Sequence, residues 1–333
     1  MKKSAILLIT GILLMSCCWS CNKKTSQATT SKNLNSLESM AQSINQIFVQ
    51  NRQALDQLRQ PTEEFYRNID SITVTPATSR YTTFDNAVYY NKKDDGGCSV
   101  YATGAVLITE KEKIKIQKLE QLEPLLKETK RASKYASLCY LTTFDSIALL
   151  YPFTDMVPFV EPKLDLTKAW VTYWQADLAH NPAKKSVWVE PFIDAAGFGY
   201  ITSVITPVYN KDFLEATLGI DIPIKNIADE SFNDPRRKLF LVTDGMLLVA
   251  INKPCGQILK LKGLEKFDYL DKASFNLPVS SEYRLLQNES LPIRELAQRL
   301  QTQANFSCSL DGKNYQVCRA EIPEVKWYLV ELK

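Results

Sequence analysis

Apolar residues return every three or four positions through Leu37, Met40, Ala41, Ile44, Ile47, Phe48, Leu55 and Leu58, with Asn, Gln, Arg and Asp between them. That spacing predicts one amphipathic helix over 36–62, closed by Pro61, because proline lacks the amide that a helix interior needs. At about 24 residues the helix would be about 36 Å long, enough to lie along two stacked subdomains. A single apolar seam also suits a coiled-coil homodimer through this helix, and the pattern leaves both readings open.

After Pro61 the period changes. From Glu63 to Val106 the chain is aromatic and β-prone, alternating around Tyr81–Tyr90, with a turn expected at Asp94-Asp95-Gly96-Gly97. Glu110–Arg131, dense in Lys, Glu and Leu, reads as a helix that Pro124 kinks or splits, its charges forming a solvated face. Two strands follow, Ala136–Thr143 and Ser146–Tyr151, stopped by Pro152, and then a helix-like Lys168–Trp174. Two more strands are expected at Tyr200–Tyr209 and Leu218–Ile222, punctuated by Gly197, Gly199, Pro207 and Gly219. No glycine-rich phosphate loop separates these elements, so their order fits an α+β fold with antiparallel sheets better than a βαβ array.

The amino terminus reads differently. Lys2 and Lys3 precede an apolar run, Ala5–Met15, that is too short to span about 30 Å of hydrocarbon but suits a secretory signal. Leu14-Met15-Ser16-Cys17 resembles a bacterial lipobox, which implies a signal peptide over 1–16 and lipidation of Cys17 as the first residue of the mature chain. An ordinary cleaved signal with chance cysteines is the alternative, and either way the mature protein is exported. Residues 17–35, rich in Ser, Thr, Lys and Gln, then read as a flexible tether between anchor and domain.

Composition narrows the function classes. A chain of 333 residues with 45% hydrophobic and 23% charged content has the make-up of an ordinary globular protein, long enough for two subdomains. A net charge of +3 without a basic run gives no case for nucleic acid. The single histidine, His180, sits beside Asn181-Pro182 and reads as a surface loop residue. Its solitude removes most histidine-dependent chemistry and any His-rich metal site. There is no G-x-S-x-G, H-E-x-x-H or Walker motif, so catalysis would have to rest on paired carboxylates alone, and no cofactor or metal is expected. Export makes disulfides available to Cys98, Cys139, Cys255, Cys308 and Cys318. A hairpin centred on Lys313 would set Cys308 opposite Cys318; Cys98–Cys139 is a weaker pairing, suggested only by strand-like surroundings.

The candidate chemistry lies in Trp188–Ile222. Asp194 and Asp221 end aromatic or apolar segments, where a carboxylate is costly unless something pairs with it. Each also suits a local role, Asp194 in an Asx-turn and Asp221 as a cap before Pro223, and the nearby aromatic residues suit core packing.

The ordered set Leu150–Phe153, Asp165–Trp170, Asn181-Pro182, Trp188–Asp194, Tyr200–Tyr209, Leu218–Ile222, Arg237–Ala250 and Trp327–Val330 resembles the double Cache sensor domains of bacterial receptors. The resemblance implies a long helix and two PAS-like lobes with central antiparallel sheets. The membrane-distal lobe, 63–224, would hold the ligand, and 225–333 would be the membrane-proximal lobe. In members that bind amino acids, an Arg and a Trp hold the ligand carboxylate while a Tyr and two Asp receive its ammonium. Carried over, these positions are Lys168, Trp170, Phe192, Asp194 and Asp221. Lys168 lacks the bidentate fork of Arg and Phe192 has no hydroxyl, so the ammonium side is expected to be the better preserved. With Tyr173, Trp188 and Tyr209 added, the expected pocket is two carboxylates in an aromatic surround, suited to an amine or amino-acid-like ligand. A lipid-anchored binding protein that ends at the last strand would work with a separate transmembrane signalling or transport partner. A structural or interaction lipoprotein is the competing reading, and a hydrolase built on the two acids is the third.

Overall fold

The computed structural model describes residues 20–75, 78–85, 87–194, 197–262 and 283–333, with the side chains of the first helix described from Leu37 on. The expected signal peptide and Cys17 lie outside the described residues.

Helix α1 runs Ser20–Asn68 and is therefore longer than its apolar seam predicts at both ends. Toward the amino terminus it takes in most of the stretch expected to be a tether. At the other end it passes through Pro61, because the next turns gain enough elsewhere to offset one missing hydrogen bond. Tyr66 is 2% exposed in the core, and Arg59 is ion-paired to Glu63 at 2.7 Å. The seam is spent inside the chain: Leu37, Ala41, Ile44, Phe48, Leu55 and Leu58 are buried against both sheets. A homodimer would have to use some other surface of the helix.

Among the described residues, nine strands form the first sheet, in the order β1-β2-β3-β5-β4-β9-β8-β6 with β7 also on β8. These are β1 (Tyr81–Phe84), β2 (Val88–Asn91), β3 (Ser99–Ala102), β4 (Leu138–Thr143), β5 (Ile147–Tyr151), β6 (Val187–Trp188), β7 (Phe192–Ile193), β8 (Tyr200–Asn210) and β9 (Phe213–Pro223). Every pairing is antiparallel. The β8–β9 hairpin is longer than the sequence pattern suggests, because a two-residue Lys211-Asp212 turn carries the ladder to Asn210 and Phe213. Between β3 and β4 the charged stretch splits where Pro124 falls, into α2 (Glu110–Leu119) and α3 (Glu123–Ala132), with proline in the first turn where its missing amide is harmless. Part of its charge is structural: Glu120 meets Arg80 at 2.6 Å and Lys115 meets Asp145 at 2.7 Å.

The second sheet has the order β11-β10-β14-β13-β12. Its strands are β10 (Leu239–Thr243), β11 (Leu248–Ile251), β12 (Asn305–Leu310), β13 (Lys313–Ile322) and β14 (Trp327–Leu332). One face packs on α1, and the other is covered by α7 (Lys253–Leu259) and α8 (Leu291–Thr302), with α6 (Ile224–Ser231) leading in from the first sheet. Phe48 joins the two lobes, edge-on to Trp188 of the first at 4.9 Å and to Trp327 of the second at 5.0 Å.

The expected Cys308–Cys318 bridge is absent, and both thiols are free. The turn is Asp311-Gly312, both at positive φ, so the hairpin centre lies between them and not at Lys313. Cys308 then faces Tyr315 and Cys318 faces Asn305, which puts the two thiols on opposite faces. Cys98 and Cys139 are also free. β5 runs between their strands, so they stand about 10 Å apart, beyond disulfide reach.

Candidate functional site

The first sheet has two faces. Leu218, Ile220 and Ile222 of β9 join the core beneath α1, while the alternate residues of the strand, Gly219 and Asp221, turn to the opposite side. That side is roofed by two single-turn helices, α4 (Leu166–Ala169) and α5 (Val171–Trp174). Trp170 sits between them with extended backbone, which breaks what the sequence presents as one helix.

Tyr140, Trp170, Thr172, Phe192, Asp194 and Asp221 line a cavity of about 50 Å³ there, with Leu138, Leu150 and Met156 on its apolar side. Such a volume holds a small group or a few waters. Asp221 is 5% exposed and lies inside β9, two residues before its end, paired in the ladder with Ser203, whose hydroxyl donates to its carboxylate. It caps nothing: the residue before α6 is Pro223, and no side chain bonds that helix start. Asp194 is 7% exposed and its Oδ2 accepts the Phe198 amide at 2.9 Å, so it also closes its own loop. Positive φ at Gly197 and Gly199 lets that loop fold back onto the acid. Burial and the nearby Asp194 charge push the Asp221 carboxyl up to about 8, against the pull of the Ser203 and Tyr140 hydroxyls.

Tyr140 crosses over Gly219, its partner in the ladder, and a Cβ at that position would run into its ring. Its hydroxyl is buried among Thr172, Ser203 and Asp221 without one fully formed hydrogen bond. The Trp170 indole nitrogen is likewise buried and without a partner.

Of the residues expected from sequence, Trp170, Phe192, Asp194 and Asp221 meet at this cavity; the other four do not. Lys168 points to solvent, its side chain 85% exposed and held by Asp165 at 2.8 Å, because Asp165 both caps α4 and pairs with the lysine one turn on. Trp188 belongs to the seam between the lobes, where its indole donates to Glu324 at 3.1 Å. Tyr173 is buried toward Asp145 and Tyr209. Tyr209 lies farther along β8 under the Lys184 ammonium, 4.3 Å from the ring centre. Sequence reasoning missed Tyr140, Thr172 and Ser203. The available signal was Gly219, since a glycine inside a strand marks a close approach by something else.

Among the described residues no helix is long and apolar enough to cross a membrane, and no cluster of His, Cys, Asp or Glu is placed to hold a metal ion. No protein-family model and no curated protein matches the sequence. Solved structures do resemble the fold. The ligand-binding domain of the Pseudomonas aeruginosa PAO1 amino acid chemoreceptor PctB, in complex with L-Gln, is 12% identical, with 90% of this chain and 89% of that one covered and a TM-score of 0.49. That of PctC from the same organism, in complex with GABA, is 16% identical over 91% and 99%, with a TM-score of 0.48. The sensory domain of the Campylobacter jejuni chemoreceptor Tlp3, with isoleucine bound, is 15% identical over 90% and 95%, with a TM-score of 0.42. The ligands belong to those proteins. The fold itself is the arrangement that the Cache resemblance implied, one long helix followed by two lobes with antiparallel sheets.

Proposed function

We propose that the protein is an extracytoplasmic, lipid-anchored small-molecule binding or sensing protein whose first lobe holds an amine-containing ligand between Asp194 and Asp221. The observation that carries this reading is the meeting of two buried carboxylates at one aromatic-edged cavity whose lining has no Lys, Arg or His among the described residues. An ammonium group brings N–H donors to a lining that holds no protein cation among the described residues, and the Trp170 and Phe192 rings add cation–π attraction. Lys168 turns away, so a ligand carboxylate would find only the neutral donors of Trp170 and Tyr140. Burying an anion on such terms is costly, which favours amines over zwitterionic amino acids. Cys17 would carry the anchor, and a separate membrane protein would receive the bound state.

A thermal-shift screen of amines, amino acids and carboxylates tests this. An amine held at 100 times its dissociation constant should stabilise the fold by about 2.7 kcal/mol. That response should vanish in Asp194→Asn and Asp221→Asn. Stabilisation only by carboxylates that lack an amine would refute it. The small cavity volume favours one competing reading, an interaction lipoprotein with a non-functional pocket. A screen with no response from any amine would leave that reading standing.

A further inference from the structure

Asp221 and Asp194 are both more than nine-tenths buried at one cavity. The groups that face Asp221 are the Ser203 hydroxyl from β8, the Tyr140 hydroxyl from β4, Thr172 from α5 and Asp194 from beyond β7. Cys139 lies on the other face of β4, its thiol pushed up by burial and therefore neutral. None of these is a cation. Tyr140, 4% exposed, lines the cavity and sets its hydroxyl beside the Asp221 carboxylate. An ionised Asp221, beside the Asp194 carboxylate and with only hydroxyls against it, would have little to offset its lost hydration. A proton on one of them removes a charge and turns an acceptor into a donor.

We propose that in the ligand-free protein the two acids share one proton, resident on Asp221, and that an ammonium ligand enters in exchange for it. In that step the Asp221 O–H bond breaks and the proton leaves to bulk water. The carboxylate so formed accepts an N–H of the ammonium, and nothing is oxidised or reduced. The cation in this exchange rests on the function proposed above; the shared proton does not. The raised carboxyl of Asp221 supports the geometry.

Two measurements separate these parts. The first uses no ligand: thermal unfolding of the wild type and of Asp221→Asn is followed from about pH 5 to about pH 9. An acid whose folded-state proton affinity is raised stabilises the fold at low pH, and that stability is lost as pH rises through the folded value. The wild-type Tm should therefore fall relative to the variant across this range. Parallel curves would overturn the shared proton whether or not amines bind. Asp194→Asn is the second variant: with the neighbouring charge gone, the same fall should be shallower.

The second measurement is calorimetric titration with n-butylamine in buffers of different ionisation enthalpy. Close to one proton should leave per amine bound near neutral pH, with affinity rising close to tenfold per pH unit below the Asp221 value. Release should approach zero at about pH 9.5, where the amine still carries its own proton and Asp221 has lost its proton. Amine binding without proton release would overturn the exchange and leave the ligand reading intact. No binding at any pH would overturn both, while the unfolding curves still decide the shared proton.

Discussion

Each lobe buries a strand carboxylate, and the two treat it in opposite ways. On β14 of the second lobe, Glu331 is bound through both oxygens by Arg237, at 2.7 and 2.8 Å, with its side chain 8% exposed. On β9 of the first, Asp221 is as deeply buried and meets only hydroxyls and a second acid. A buried ion pair closes an electrostatic account within the fold; a buried acid without a cation leaves it open to a ligand or a proton. The contrast separates a lobe whose buried acid is ion-paired from one whose buried acid meets hydroxyls and a second acid.

The largest expected effect breaks the frame that both lobes share. Phe48→Ala removes the ring between Trp188 and Trp327 and should cost about 4 kcal/mol in chemical denaturation. A loss under about 1 kcal/mol would mean that the lobes do not depend on this junction. Next, Arg237→Ala leaves buried Glu331 with only the Lys333 ammonium at 3.9 Å and should cost about 3 kcal/mol, whereas Asp221→Asn should be neutral or stabilising at neutral pH. Equal losses in the two would erase the contrast.

Gly219→Ala sharpens the contrast at the cavity. The new methyl should drive Tyr140 off its strand partner, cost about 2 kcal/mol and abolish any amine-induced thermal shift. An unchanged shift would remove Tyr140 from the site. Smallest per step is the pH effect. Wild type should lose up to about 1.4 kcal/mol per pH unit relative to Asp221→Asn as pH rises toward the Asp221 value. Arg237→Ala should leave that slope in place.

Periodicity made much of the frame readable. The seam from Leu37 to Leu58, the split at Pro124 and the paired strands β4 and β5 follow from local spacing. Locally complete signals also set the limits of that reading. Pro61 reads as a stop because the packing of Tyr66 beyond it is not visible in sequence. The Cys308–Cys318 pairing failed because a shift in hairpin centre reverses which side chains face each other. At the site, Asp194 and Asp221 were legible as acids in apolar surroundings. Tyr140, Thr172 and Ser203 were not, since the first two reach the cavity, and Ser203 reaches Asp221, across a ladder or a helix break set by partners far along the chain.

By itself the sequence determined that a long amphipathic helix would serve two sheets, and that two carboxylates in its middle third needed an explanation. Only the tertiary structure decided that Lys168 would not supply it and that Trp188 would join the lobes instead. A side chain's chemistry is fixed by its residue, but its partner is fixed by register. Alternation along β9 places Asp221 away from the α1 core, and the cap at Asp165 turns Lys168 outward. Those two placements leave Asp221 facing hydroxyls and a second acid.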